Sequence, residues 1–179
     1  MEIIVQARER ADLAFVRGFL QGVVAFRWLA LAWATVGVIV SDAHLLRPVS
    51  AGLLLGAAFV FTGVATVLVR RAPDVLLHPV TIIIEVTIAC AMLIGDGLVY
   101  SDQRPQSLPW AWPAGSIISG AIAFGVQAGI LLAVATGIAS FIGEGLNSGG
   151  GSWGVAASSK TALYVLSAII AGYVTRRLR

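Results

Sequence analysis

The sequence predicts an all-α membrane protein, a polytopic bundle of six transmembrane helices with both termini in the cytoplasm. Three observations lead to this fold class. Hydrophobic residues make up 58% of the 179-residue chain and charged residues only 12%, whereas soluble domains carry about 25% charged residues. The apolar residues form runs long enough to cross a bilayer, and the arginines lie at alternate ends of these runs. The outer surface is therefore expected to face lipid.

The segment 1–17 precedes the first apolar run and carries charges of both signs. These charges argue against a cleavable signal peptide. Its alanines and Ile4 follow helical spacing, which predicts a short cytoplasmic helix at the membrane interface. The transmembrane domain is then expected over residues 18–175, and residues 176–179 are expected to begin a cytoplasmic linker.

Crossing a bilayer takes roughly 20 helical residues, and four runs of that length are plain. They cover residues 18–40, 49–69, 79–99 and 155–175. The apolar stretch from Trp110 to Ile142 would be about 50 Å long as one helix, which is too long for a single crossing, so it predicts two short helices. The break is expected at Gly125-Val126-Gln127, where a glycine and an amide interrupt the apolar run.

Orientation follows from the basic residues, which concentrate in the cytoplasmic loops of membrane proteins. Six crossings place eight of them inside, namely Arg8, Arg10, Arg17, Arg70, Arg71, Arg176, Arg177 and Arg179. Three are left outside, namely Arg47, Arg104 and Lys160. The sequence thus predicts a multi-pass protein of the cell membrane with both ends inside. Three tryptophans are then expected in the outer aromatic belt, namely Trp110, Trp112 and Trp153.

Two charged residues lie well inside predicted helices, Arg27 in the first and Glu85 in the third. At 1.5 Å per residue, Arg27 is about 9 to 13 Å and Glu85 about 9 Å from the cytoplasmic side. Because buried charges are costly, this shared level predicts an intramembrane ion pair. A role in helix packing is favoured over a proton relay or a ligand contact, and the alternative for Arg27 is snorkelling towards the headgroups.

Polar and aromatic residues are also expected to converge on a shallow pocket at the outer face. The set comprises Asp96, Asp102, Arg104, Trp110, Trp112, Glu144 and Lys160. Lys160 lies inside the last predicted helix, where snorkelling outward is the favoured interpretation. Pairing with an acid and contact with an unknown small ligand are the alternatives.

Several kinds of site and partner are excluded by the same sequence. Cys90 is the only cysteine, so there is no internal disulfide or multi-thiolate metal site, and the topology places His44 and His78 at opposite faces. No P-loop, HExxH or GxSxG motif is present. We therefore expect no metal, no cofactor and no catalytic residue. Nucleic acid is not an expected partner, since the arginines are not interleaved with aromatic residues on one face.

Small residues recur at the spacing that lets helices approach closely. The clearest motif is Gly125-xxx-Gly129, and the others are Gly52-xxx-Gly56 and Gly115-xxxx-Gly120. These motifs predict tight helix packing inside the bundle and a homodimer face.

Two segments carry a resemblance to a known family. They are FRWLALAWA, from Phe26 to Ala34, and LPWAWPAGSIISGAIAFGVQAGILLA, from Leu108 to Ala133. With these segments in this order, the chain resembles the N-terminal transmembrane sensor domain of actinobacterial MacS-type sensor histidine kinases. The resemblance covers nearly the whole chain. In that family an FR pair opens the first helix, an acidic residue lies in the third, a Pro-x-x-Trp element precedes the fourth, and a Gly-x-x-Gly-like turn follows. The matching positions are Phe26-Arg27, Glu85, Pro109 to Trp112, and Gly125 to Gly129.

The chain departs from the family pattern at two positions. Glu85 stands where family members usually have aspartate, which keeps the charge. Gln127 stands where they usually have a basic residue, which weakens the cytoplasmic assignment of that turn.

The resemblance implies a signal-input domain that passes a ligand or membrane signal through its last helix to a cytoplasmic kinase outside this chain. It further implies a homodimer, kinase domains in cis and a response regulator acted on by them. Transferase activity would then reside in the kinase domains. A small multi-helix transporter or channel is the alternative function, and a scaffold that anchors a partner protein is a third.

Overall fold

A computed structural model of the chain describes residues 2–40, 44–100, 111–147 and 153–178. In these ranges all regular elements are helices, which confirms the predicted all-α class. They are α1 (Glu2–Val40), α2 (Pro48–Arg71), α3 (Pro73–Leu76), α4 (Pro79–Val99), α5 (Trp112–Phe124), α6 (Val126–Asn147) and α7 (Trp153–Leu178).

Five helices are long and apolar enough to cross a membrane, as judged by length and composition. The spans are Val16–Val40, Pro48–Arg71, Pro79–Val99, Val126–Leu146 and Ala157–Arg176. These candidate spans are consistent with a multi-pass membrane bundle. The predicted interfacial helix at residues 1–17 is not a separate element, because α1 runs unbroken from Glu2 into the first span.

Prolines mark the starts of the inner helices. Pro48, Pro73, Pro79 and Pro113 each occupy one of the first two positions of α2, α3, α4 or α5. Proline is accommodated there because its missing N–H would have no partner within the helix, and its fixed φ already suits helical geometry. Each of these helices therefore begins with a proline without losing an intrahelical hydrogen bond.

The stretch from Trp110 to Ile142 contains two helices, as predicted, and they separate at Gly125. This glycine has φ +90°, a conformation that residues with a Cβ rarely adopt. Helix α5 has 13 residues and is only about 20 Å long. Helix α6 has 22 residues and is full length. The prediction that both helices are short is therefore wrong for α6, which continues beyond Ile142 through Glu144.

Helices α5 and α6 form an antiparallel hairpin around Gly125. Gly129 packs on Ala121, each four residues from Gly125, and Gly120 packs on Leu132, five and seven residues from it, so the two helices run back along each other. Helix α5 is the centre of the bundle: it contacts α1, α4, α6 and α7, and ten of its 13 residues are buried.

The remaining contacts show that the helices α1, α2, α4, α5, α6 and α7 alternate in direction along the chain; α4 and α6 are parallel, with α5 running back between them. One buried cluster joins the first turns of the α1 span to the end of α2 and to α3, with members Leu20, Val24, Ala65, Val69 and Leu76. A second joins the later part of α1 to the middle of α2 and α4 and to the start of α5, with members Ala30, Leu31, Ala58, Ala89, Met92 and Trp112. In α7, Ala168 lies near Gly129 and Thr161 near Gly137, so α7 is antiparallel to α6.

The bundle consequently has two distinct ends. We call one the arginine end, because Arg17, Arg70, Arg71 and Arg176 are exposed there, and the Arg17 guanidinium donates a hydrogen bond to the Arg70 carbonyl oxygen. We call the other the distal end, where α4 finishes and Leu45 pairs with Tyr100. The first span within α1 begins at the arginine end, and α7 ends there.

Candidate functional site

Arg27 is buried because it occupies the inward stripe of α1. The buried positions of this helix recur every three or four residues, at Leu20, Val23, Val24, Arg27, Ala30, Leu31 and Ala34, which is the spacing of one helix face. Arg27 is 2% exposed. Snorkelling of Arg27 to the headgroups is therefore wrong: the side chain points into the bundle.

Glu85 occupies the matching stripe of α4, between Ile82 and Ala89, and is 1% exposed. Nη2 of Arg27 donates a hydrogen bond to Oε1 of Glu85, so the ion pair predicted from the sequence is present. Two polar contacts from α5 complete the group. Arg27 Nη2 lies 3.0 Å from Ser119 Oγ and 3.4 Å from the Gly115 carbonyl oxygen.

The shape of α5 allows the arginine to reach these partners. At Gly115 an added Cβ would lie 2.8 Å from Arg27 Nε and 3.1 Å from its Cγ, so the stem of Arg27 lies directly on the glycine. On the opposite side, the guanidinium lies 5.7 Å from the centre of the Phe61 ring, within range of a cation–π attraction. One charged group thereby joins α1, α2, α4 and α5.

The pairing is what makes two buried charges tolerable. A lone ion in a low-dielectric interior would cost several kcal/mol, and an opposite charge with further hydrogen bonds offsets most of that cost. The pair adds no net charge to the core. Nε of Arg27 has no hydrogen-bond partner among the described residues, so the arginine is incompletely satisfied.

Two tryptophans extend this polar layer, and sequence reasoning missed both contacts. Trp28 Nε1 donates to Thr66 Oγ1 at 3.0 Å, and Trp112 Nε1 donates to Thr62 Oγ1 at 3.2 Å. Each threonine hydroxyl donates to the carbonyl four residues earlier, which leaves its oxygen able to accept. The only signal in the sequence was threonines at i and i+4 on an otherwise apolar helix.

The outer-belt prediction for Trp112 is wrong. This side chain is 0% exposed and lies in the buried cluster with Leu31 and Met92. The reason is that α5 begins inside the bundle rather than at its surface. Trp112 lies at the level of Met92, and α4 continues beyond that level to Val99. Trp110 lies outside the described residues, as do Asp102 and Arg104, and the side chain of Trp153 is likewise not described.

A second, partly buried ion pair lies towards the distal end. Lys160 Nζ on α7 is 2.6 Å from Glu144 Oε1 on α6, with side chains 16% and 6% exposed. The favoured snorkelling interpretation of Lys160 is therefore replaced by the alternative of pairing with an acid. Asp96, 1% exposed in α4, lies at the same end, because the next residue, Gly97, packs directly against the backbone of Gly143.

The glycine motifs divide between packing and surface positions. Gly129 is a contact point of α5, α6 and α7: a Cβ there would lie 2.7 Å from Ala121 Cβ and 3.1 Å from Ala168 Cβ. Gly125 forms the turn instead. Gly52 and Gly56 have nothing within 4 Å of an added Cβ, and both are exposed, so the prediction that they pack inside the bundle is wrong.

No group of three or more His, Cys, Asp and Glu side chains is placed to hold a metal ion in the described part of the chain. His44 and His78 lie at the distal and the arginine end, and His78 Nδ1 accepts a hydrogen bond from the Val80 amide at 3.3 Å. That contact caps α4. What the structure offers is two charged layers that hold helices together.

No protein-family model, curated protein or solved structure matches this chain.

Proposed function

We propose that the chain is the membrane-embedded signal-input domain of a two-component histidine kinase. The observation that carries the proposal is the continuity of α7, a single helix from Trp153 to Leu178 that leaves the bundle at the arginine end. A shift of α7 at the distal end would reach the arginine end without loss, because a hydrogen-bonded helix resists bending. The resemblance to the MacS-type sensor domain supports the same function.

The two ion pairs supply the bistable element that such a domain needs. Lys160 and Glu144 fix α7 against α6, and Arg27 and Glu85 fix α1 against α4. A buried pair holds one packing arrangement, and its loss favours another, so a ligand or a membrane property that stabilises either arrangement shifts the population. The proposed output is a shift of α7 passed to kinase domains in cis and from them to a response regulator.

The topology proposed for this function has six crossings and cytoplasmic termini. The alternating helix directions and the exposed arginines at one end support it. A test replaces Cys90 with serine and introduces single cysteines at His44, His78 or Gln127. A membrane-impermeant maleimide added to intact cells should label only the cysteine at 44, and lysis should be needed to label the other two. Labelling at 127 from outside would contradict six crossings.

The signalling proposal is tested by the helical phase of α7. The chain is fused after Arg176 to the phosphoacceptor helix of a histidine kinase, and one to seven residues are inserted at the junction. Autophosphorylation in vesicles should oscillate with a period of about 3.6 residues and return near seven. The matched control inserts the same residues within 101–110, where no oscillation is expected. A steady decline with junction length, without any return, would contradict the proposal.

The open reading frame offers a cheaper test. A frame continuing past Arg179 into a histidine-containing helix and an ATPase domain supports the kinase assignment. A stop codon directly after Arg179 contradicts it.

We further propose that the domain acts as a homodimer through α2. Gly52 and Gly56 form an exposed small-xxx-small motif, which allows close backbone approach between membrane helices. Replacing both with leucine should abolish resonance energy transfer between labelled copies in vesicles. Gly18 and Gly22 form the same exposed motif on α1, so glycine-to-leucine replacement there tests the competing interface and should leave the transfer unchanged. Unchanged transfer in the α2 variant would contradict this interface.

A small transporter or channel is the second candidate, and one observation favours it. Helix α5 is about half the length of a span, is buried, and begins within the bundle, as discontinuous helices do in transporters. Against this, Arg27 and Glu85 bind each other rather than opening onto a pathway. Radioactive ion or amino acid uptake into proteoliposomes separates the two functions, since a sensor gives uptake equal to that of empty vesicles.

A further inference from the structure

Three of the exposed arginines at the arginine end come from one corner of the bundle. Arg17 is the second residue of the first candidate span, and Arg70 and Arg71 are the last two residues of the second. The Arg17 guanidinium donates a hydrogen bond to the Arg70 carbonyl oxygen, so a side chain from α1 reaches the final turn of α2. We call this place, where α1 and α2 adjoin, the α1–α2 corner.

The positive charge of the α1–α2 corner is not neutralised by the described side chains. Neither ion pair in the described part of the chain includes Arg17, Arg70 or Arg71. The next acid along the chain, Asp74, is exposed at the start of α3 and is paired with none of them. The C-terminus of α2 supplies only about half a negative charge. The corner therefore favours a bound anion.

The hydrogen bond from Arg17 also suits that side chain to bind a phosphate. A guanidinium carries five N–H donors in a planar fork that fits two oxygens of one phosphate group. The Arg70 carbonyl takes a donor from Nη2 of Arg17, and the Arg17 side chain remains exposed, so its other donors can reach a ligand. Because the guanidinium is already held at the end of α2, binding costs less side-chain freedom.

An exposed apolar stripe on α2 leads to the same corner. Val60, Val64, Val67 and Arg71 follow one another at intervals of four, three and four residues, which places them on one helix face. All four are exposed, the valines by 50 to 66%. From Val60 to Arg71 the stripe is about 16 Å long, close to the hydrocarbon thickness of one leaflet, about 15 Å. An acyl chain lying on the valines would thus bring its phosphate to the level of Arg71.

We propose that the α1–α2 corner binds one anionic phospholipid, with its phosphate on Arg17 and Arg71 and an acyl chain along Val60, Val64 and Val67. The net positive charge of the corner selects an anionic lipid over a zwitterionic one, whose own ammonium group cancels the charge of its phosphate. Because one phosphate would take contacts from both helices, the lipid would hold the start of the α1 span to the end of α2.

The test measures thermal unfolding of the purified chain in nanodiscs in which phosphatidylglycerol replaces phosphatidylcholine in steps. The melting temperature should rise and then saturate as the anionic fraction grows, because a ligand that binds only the folded state stabilises it. Arg17→Gln and Arg71→Gln should each raise the half-saturating fraction about fivefold, the effect of one arginine beside anionic headgroups. Arg176→Gln is the matched control: Arg176 is exposed at the same end, but on α7, which packs on α5 and α6, so the lipid response should not change.

Three outcomes of this experiment would overturn the proposal. One is an equal loss of response in Arg17→Gln and Arg176→Gln, since the surface potential of the membrane would then explain the effect. Another is a melting temperature that rises without saturating. The third is the same rise produced by inorganic phosphate in pure phosphatidylcholine nanodiscs, since the ligand would then be free phosphate. Arg17→Lys, which keeps the charge but loses the planar fork, should respond between the unaltered chain and Arg17→Gln.

Native mass spectrometry needs no variant. The chain released from micelles that contain equal amounts of phosphatidylglycerol and phosphatidylcholine should retain one phosphatidylglycerol per chain. Retention of both lipids equally, or of neither, would overturn the site even if a variant failed to fold.

The lipid site is independent of the functions proposed above. It does not rest on the kinase assignment, because both measurements use the purified chain. Helices joined at a small-xxx-small motif cross at about 40°, so a partner copy seated on Gly52 and Gly56 leaves the last turn of α2 open. A saturable lipid response with a flat helical-phase profile would support this site and contradict the signalling function.

Discussion

Neutralising Glu85 should destabilise the bundle more than any other conservative change in α4. Glu85→Gln keeps the volume of the side chain but leaves the Arg27 guanidinium with neutral acceptors only, Ser119 Oγ and the Gly115 carbonyl. Removing one partner of a buried ion pair typically costs about 3 to 5 kcal/mol. Because glutamine still accepts a hydrogen bond, the expected loss is near the lower limit, about 3 kcal/mol. Arg27→Gln should lose a similar amount.

The charge exchange Arg27→Glu with Glu85→Arg separates an ion pair from two independent polar contacts. The exchanged pair restores the attraction between α1 and α4. The double variant should therefore lose less free energy of unfolding than Arg27→Glu alone and Glu85→Arg alone lose together. Restoration should be partial, because an arginine on α4 no longer lies against Gly115. A coupling of about 1 to 3 kcal/mol is expected.

The assay is equilibrium unfolding in mixed micelles, followed by tryptophan fluorescence, with the free energy of unfolding obtained for each variant. Thr87→Ala is the control, since this residue is exposed on the same helix and a surface change there should stay within about 0.5 kcal/mol. Additive losses in the exchanged variant would refute the ion-pair reasoning. A Glu85→Gln loss no larger than that of Thr87→Ala would do the same.

Three further results are expected in the same assay. Gly115→Ala should cost about 1 to 3 kcal/mol, because its Cβ would lie 2.8 Å from Arg27 Nε. If Gly115→Ala costs as much in a chain that already carries Arg27→Ala, the clash with Arg27 is not the cause. Gly125→Ala should cost about 1 to 3 kcal/mol because of its φ of +90°, whereas Gly18→Ala, with nothing within 4 Å of the added Cβ, should be neutral or stabilising. Trp112→Phe should cost about 1 kcal/mol for its lost hydrogen bond to α2. A free energy of unfolding equal to that of the unaltered chain would show that this hydrogen bond does not stabilise the fold.

Much of the fold could be read from local sequence features. The apolar runs predicted the spans, since a helix in lipid must satisfy the hydrogen bonds of its own backbone. Gly125 predicted the break, because few other residues allow so sharp a turn of the chain. The sequence predicts a shorter α6 than the structure has, for a physical reason. Glu144 looked like the end of an apolar run, but its charge is neutralised by Lys160 across the helix pair.

The candidate site was only partly predictable. The shared depth of Arg27 and Glu85 indicated that they could meet, because depth follows from counting residues along each helix. Ser119 and Gly115 gave no such signal, since serine and glycine are common in membrane helices. Nothing in the sequence indicated that Trp112 is buried, because a tryptophan beside a proline-rich segment is equally typical of a membrane interface.

The sequence by itself determined the apolar, all-helical character of the chain, the break at Gly125 and the presence of two charges that had to be neutralised inside the helices. These properties depend on composition and on spacing along one helix. Only the tertiary structure decided that α5 is the buried centre, that Lys160 pairs with Glu144, and that Gly52 and Gly56 face outward. Such choices depend on which helix lies beside which, and neighbours in space are set by packing across the whole bundle.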